Sequence, residues 1–129
     1  ALDGLRVLVV DDDADTRELL AVSLGVSRAR VATAESADEP LRILGAEGAD
    51  VIVRDIGMPI VVGYALMKRI RELPGALGRV PAIALTAYAR PQDRDEAIAA
   101  GFQEHLSKPV ELAVLQASLA SLTGRADTQ

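Results

Sequence analysis

The stretch LRVLVVDDD, Leu5 to Asp13, decides the fold. Its first part is almost wholly apolar and reads as a strand buried on both faces, and its aspartates stand where such a strand must leave the sheet. The pattern returns along the chain. Val51 to Asp55 (VIVRD), Val80 to Thr86 (ending IALT) and Phe102 to Ser107 (FQEHLS, followed by Lys108-Pro109) are apolar runs closed by a polar or charged group, and Arg30 to Thr33 is a shorter one. A parallel sheet gathers the carboxyl ends of its strands along one edge, so Asp11, Asp12, Asp55, Thr86 and Lys108 are expected to converge there.

Between these runs, Asp15 to Leu24, Ala37 to Gly45, Gly63 to Leu73, Gln92 to Ala100 and Glu111 to Leu122 carry apolar residues at helical spacing, as in Leu112, Leu115, Leu119 and Leu122. Five strand–helix units in series predict an α/β fold, a parallel sheet with helices on both faces, because each right-handed crossover lays its helix against the sheet. Ser36 with Glu39 reads as a capping box for the second helix, and Gly101 as the C-cap of the fourth. Pro40 falls about one turn inside the second helix, where its missing N–H should weaken or shift the start. The second strand, short and accompanied by Arg28 and Arg30, is expected at a sheet edge.

At 129 residues the chain is the size of one domain, with an expected core over about 4–123 and a frayed tail over 124–129. Half the residues are apolar but only Tyr64, Tyr88 and Phe102 are aromatic, so the core must be aliphatic. The net charge of -5, with no basic run, argues against direct nucleic-acid binding. There is no cysteine, which excludes disulfides and thiolate metal sites. No apolar stretch approaches the ~18 residues of a membrane span, and the amino terminus lacks the basic and apolar regions expected of a signal peptide. The cytoplasm is the expected compartment, without direct membrane contact. The start at Ala1 suggests a segment cut from something longer, or processing.

Carboxylates crowded at one strand end repel one another unless a cation neutralises them, and Mg²⁺ suits a few carboxylates plus water and phosphate oxygen. Asp11, Asp12 and Asp13 alone also suit a plainer role, capping the first helix at its positive end. Asp55 changes the balance. It ends an apolar central strand, a costly place for an unpaired carboxylate. Beside Asp11 and Asp12 it could share a metal and act as a nucleophile toward a phosphoryl group. Thr86 would offer a hydroxyl and Lys108 an ammonium to phosphate oxygens.

Here the chain resembles the receiver domain of two-component response regulators over nearly its whole length. VLVVDDDADTRELL (7–20) is similar to the family's acidic-pair segment, VIVRDIGMP (51–59) to its phospho-acceptor segment, IALTAYA (83–89) to its switch segment, and HLSKPV (105–110) to its lysine segment. The resemblance implies a flavodoxin-like (βα)5 fold, a three-layer sandwich with strand order 2-1-3-4-5, a topology the family itself exemplifies. It implies that Asp55 takes a phosphoryl group from a histidine kinase or histidine phosphotransfer protein, and that Asp12 binds Mg²⁺ directly, with Mn²⁺ as a possible substitute. Asp11 would assist through water, and the backbone carbonyl of Gly57 would be a further ligand. Thr86 and Lys108 would contact the phosphoryl group, and Lys108-Pro109 would be a cis peptide. On phosphorylation Thr86 would move, with His105 in the place of the family's switch aromatic; the alternative is that His105 only packs. The implied switching face comprises the fourth helix, fifth strand and fifth helix, which is also a possible homodimer contact. No independent enzyme activity is implied beyond self-phosphotransfer and autodephosphorylation at Asp55, although the domain could belong to a hybrid histidine kinase.

Three positions depart from the family pattern. Ile60, Val61 and Val62 stand where a polar turn is usual, Arg54 precedes the acceptor where a small or apolar residue is usual, and Pro40 interrupts a helix. Alternation along a strand should point Arg54 away from Asp55. A degenerate receiver that only binds partners is the alternative these departures motivate. A Mg²⁺-dependent phosphatase resembling the haloacid-dehalogenase pattern is a third class: Asp11 and Asp13 match its first demand, but position 15 is aspartate where it wants threonine.

Overall fold

The computed structural model describes residues 2–35, 38–56, 60–87, 90–108 and 111–124. Along the chain run β1 (Arg6–Val10), α1 (Ala14–Val26), β2 (Arg30–Ala34), α2 (Glu39–Ala46), β3 (Val51–Ile56), α3 (Ile60–Arg71), a short 3-10 helix (Gly75–Arg79), β4 (Ala82–Thr86), α4 (Pro91–Ala100), β5 (Glu104–Ser107) and α5 (Leu112–Leu122). The strands form one parallel sheet in the order β2-β1-β3-β4-β5. This is the flavodoxin-like arrangement expected from the sequence, with β2 at an edge.

Strand alternation sorts the core into two layers. Leu8, Val10, Ile52, Ile56, Ala82 and Ala84 face α2, α3 and α4, where Ile43, Leu44, Leu66, Met67, Ile70 and Ala97 meet them. Val7, Val9, Val51, Val53, Ile83 and Leu85 face α1 and α5, meeting Leu20, Leu24, Leu115 and Leu119. Each fully buried aliphatic chain contributes roughly 1.5–3 kcal/mol. The central strands need to be apolar on both faces for this reason, and β3 is buried along its whole length. Among the described residues Phe102 is the one aromatic ring that is fully buried, and Tyr64 packs against it at a centroid distance of 6.2 Å.

Several boundaries differ from expectation for identifiable reasons. Helix α2 starts at Glu39 after Asp38, so Pro40 sits in the first turn, where no intrahelical N–H bond is lost. Ser36 lies outside the described residues; Glu39 reaches back to the backbone N–H of Glu35 instead, at 2.9 Å. Ile60, Val61 and Val62 form the first turn of α3 rather than a loop. Arg28 precedes β2 in a turn with φ 70. β4 begins at Ala82, after Pro81, and the 3-10 helix before it carries no periodic signal because it is a single tight coil. Gly101 closes α4 in the left-handed conformation, φ 119, as expected.

Candidate functional site

The acidic run after β1 divides its labour. Asp13 is the N-cap of α1: its carboxylate accepts from the backbone N–H of Asp15 at 3.3 Å and from the Thr16 hydroxyl at 2.6 Å. The Thr16 hydroxyl bond, more than any other influence, holds its pKa below the usual carboxylate value. The capping role therefore falls to Asp13, and Asp11 and Asp12 are left for other chemistry. Asp11 is 4% exposed; its Oδ1 accepts from the Asp13 N–H at 2.9 Å, while its Oδ2 is buried with no hydrogen-bond partner among the described residues. Its backbone is pinned, the N–H to Ala34 O at 3.1 Å and the carbonyl to Arg17 at 2.7 Å. Asp12 is exposed.

Asp55 is the penultimate residue of β3 and 9% exposed. Lys108, directly after β5, reaches across the end of β4 to place Nζ 2.5 Å from Asp55 Oδ1. Its backbone continues the ladder, donating to Thr86 O at 2.8 Å. Thr86 ends β4, 2% exposed, paired in register with Ile56 and with Ser107. Four strand ends thus bring Asp11, Asp55, Thr86 and Lys108 to one edge of the sheet, as the sequence pattern predicts. Gly57 and Pro109 lie outside the described residues, and with them the carbonyl ligand and the cis-peptide expectation.

The pocket is short of positive charge. Burial, aided by the neighbouring Asp55 carboxylate, pushes the Asp11 carboxyl up to about 6, against the opposing pull of the Asp13 N–H and Lys108. A buried orphan oxygen beside a second carboxylate is a donor set for a hard cation with oxygen ligands. Among the described residues no three His, Cys, Asp or Glu side chains form a ready-made cage. Mg²⁺ does not require one, since one or two carboxylates and several waters suffice. The residues present fit that ion.

Two neighbours lie on the other face of the sheet. Arg54 pairs with Val10 and Ala84, and Ala84 pairs with His105. Arg54, Thr86 and His105 therefore share the α2/α3/α4 face, and Arg54 does point away from Asp55. Arg54 is 6% exposed, with Nε and Nη1 lacking partners among the described residues. No pattern in the sequence predicts that burial. His105 is half-buried, and its Nε2 is likewise buried and unpartnered among the described residues. On α4, Arg90 holds Asp93 below the usual carboxylate range, and His105 adds a smaller lowering.

The chain is similar to several known proteins. The family model described as "Response regulator receiver domain" matches residues 7–120. An uncharacterized 14.6 kDa protein of Leptolyngbya boryana is 48% identical over 110 residues, covering 85% of this chain and 83% of that protein. The sensor histidine kinase RcsC of Salmonella typhimurium is 36% identical over 118 residues, 92% of this chain but only 12% of the kinase. The receiver domain of the sensor histidine kinase PA1611 of Pseudomonas aeruginosa, described with a magnesium ion coordinated in its active-site cleft, superposes with a TM-score of 0.82 at 30% identity, covering 94% of this chain and 98% of that domain.

Proposed function

The chain belongs to the response regulator receiver domain family, and from that premise we propose that Asp55 accepts a phosphoryl group from a phosphohistidine on a histidine kinase or histidine phosphotransfer protein. One observation carries the reading: the Lys108 ammonium sits 2.5 Å from an acceptor carboxylate that is otherwise enclosed beside Asp11. In the transfer an Asp55 oxygen attacks phosphorus, and the P–N bond to the donor imidazole breaks as the P–O bond forms. Lys108 is placed to move from Asp55 onto a phosphoryl oxygen, a point charge that neutralises the group as it arrives. Thr86, at the end of the adjacent strand, would offer its hydroxyl to a second oxygen. Asp11, Asp12, Asp55 and the Gly57 carbonyl would hold Mg²⁺, or Mn²⁺ in its place, and the bound ion would offset charge on the attacking and transferred oxygens.

A protein donor is supported by helix α1, which starts beside the pocket at Asp13 and exposes Leu19, Val22 and Val26 at helical spacing. Switching is proposed to pass from Thr86 to His105, which occupy one face of the sheet on neighbouring strands, and so to the surface formed by α4, β5 and α5. That surface is also the proposed homodimer contact. The cytoplasm is the proposed compartment; among the described residues no helix is long and apolar enough to cross a membrane. The chain spans 12% of the RcsC sequence it matches, and an attachment to a histidine kinase belongs to the same proposal.

The test is intact-mass analysis after incubation with a small phosphoryl donor, with and without Mg²⁺, on the wild type and on Asp55→Asn. A single Mg²⁺-dependent phosphoryl adduct that is lost in the variant is expected. A folded wild type that gains no adduct would overturn the acceptor reading and leave a partner-binding module.

A further inference from the structure

The proposed transfer leaves Arg54 unused, yet burying it is costly. A guanidinium carries five donors and keeps its charge. In a strand interior it should be paired with a carboxylate or carbonyls, as Arg71 is in this same protein through Gly78, Val80 and Gly101. Among the described residues Arg54 has neither: it is 6% exposed, it forms no ion pair, and two of its nitrogens are buried without partners.

The charges around it are those of the acidic pocket. Its register partner Val10 is the last residue of β1, two residues before Asp12, and Asp55 follows it directly. Burial lowers its pKa, while Asp12, Asp11 and Asp55 support its charge, in that order of strength. It stands on the opposite face of the sheet from Asp55, so it can act on these carboxylates through its field and does not compete for their oxygens. Burial of Arg54, Asp11 and Asp55 limits the screening of that field by water.

We propose that Arg54 is a fixed internal counter-charge that holds down the affinity of the acidic pocket for its divalent cation. The inference rests on the metal-assisted receiver reading above. With Arg54 present, an entering dication meets less surplus negative charge than Asp11, Asp12 and Asp55 would otherwise offer. Removing Arg54 raises that surplus by one charge. The ligands are untouched, so the change falls on affinity and not on the ligand set. Arg54 is a positioning residue in this sense, adjusting how readily the pocket fills without touching what fills it.

Isothermal titration calorimetry with MgCl₂ tests this at low ionic strength and about pH 8. The proteins are wild type, Arg54→Met and Arg54→Lys, with folding checked by far-UV circular dichroism. Arg54→Met is expected to bind Mg²⁺ about tenfold more tightly than wild type. Arg54→Lys should stay close to wild type, and the gap should narrow as KCl is added. Should the methionine variant not fold, Arg54→Gln makes the same comparison. Unchanged or weaker binding in the uncharged variant, or tightening in Arg54→Lys equal to that in Arg54→Met, overturns the inference while leaving the receiver reading intact. Binding detectable only in the uncharged variant supports it. Absence of binding in every protein defeats the metal reading and this inference together.

Discussion

Lys108 Nζ meets Asp55 Oδ1 at 2.5 Å by reaching over the end of β4, while the Lys108 backbone stays fixed to Thr86 O at 2.8 Å. The cation that would greet an arriving phosphoryl group is therefore already seated on Asp55, the proposed acceptor, and moving it requires only the flexible stem. Lys108→Met should slow phosphoryl-adduct formation at Asp55 by about 100-fold, the usual cost of losing one charge-stabilising donor. It also leaves Asp55 beside Asp11 without its partner. Because Lys108 is itself about one-third exposed, with a side-chain exposure of 35%, the expected loss of stability in EDTA is only about 1–2 kcal/mol. Adduct kinetics by mass and urea denaturation check the two effects separately.

Asp11 gives the metal-free protein a pH dependence of definite sign. Its folded pKa is raised from 3.8 to about 6, so the folded state holds this proton more tightly than the unfolded chain. That contribution is present in full below the unfolded value and is lost as pH rises through about 6. In EDTA, Asp11→Asn should be more stable than wild type above pH ~6.5 by on the order of 2 kcal/mol, with the gap closing toward pH ~4.5. With Mg²⁺ the order should reverse at high pH, because the ion replaces the missing proton in the wild type alone. Thermal melts across pH, with EDTA and with Mg²⁺, read this directly. A wild-type advantage in EDTA at high pH would contradict it.

What could be read from the chain beforehand divides along physical lines. Apolar runs and period-3.6 patterns are local, so LRVLVV, VIVRD and IALT disclose strands, and the shared edge of a parallel sheet then assembles Asp11, Asp55, Thr86 and Lys108. Three aspartates in a row could not be sorted by pattern, because which of them turns back to cap α1 depends on the backbone leaving β1; Asp13 does so, and Asp11 is buried. Pro40 interrupts a helix that starts at Ala37 but not one that starts at Glu39, where it falls in the first turn. Ile60 to Val62 read as an altered turn, although apolar residues serve equally in a first helical turn. Arg54 faced away from Asp55 as alternation requires, but burial without a partner is a tertiary fact that no spacing encodes. The same holds for Arg71, which carried no signal at all.

His105 offers a narrower prediction. Its Nε2 is buried and unpartnered among the described residues, in the layer of the sheet that faces α4. A ring of similar size without that nitrogen should pack there at less desolvation cost, so His105→Phe is expected to gain about 1 kcal/mol in urea denaturation. His105→Asn retains a polar group and should not gain. Equal losses in both variants would mean that the ring nitrogen has a partner in solution.

Arg71 supports the opposite end of the sheet from the acidic pocket. From the last turn of α3 its Nε and Nη2 donate to Gly101 O at 3.0 and 2.7 Å, and its Nη1 donates to Val80 O at 2.7 Å and Gly78 O at 3.2 Å. Its Nη2 also reaches Gln103 Oε1 at 3.1 Å, an oxygen that accepts the N–H of Ala82 at 2.7 Å. One planar fork thus joins α3 to the C-cap of α4 and to the entries of β4 and β5. It satisfies carbonyls that no strand or helix could reach. Arg71→Met strands these carbonyls and should cost about 2–4 kcal/mol. Arg71→Lys can serve one carbonyl but not the fork, and should fall between wild type and methionine. Since the clamp holds the amino ends of the strands and Asp55 lies at a carboxyl end, each variant should still form the Asp55 adduct at temperatures where it is folded. Urea midpoints set beside adduct yield at 10 °C below each melting temperature would separate the two properties, and loss of adduct in a fully folded Arg71 variant would refute that separation.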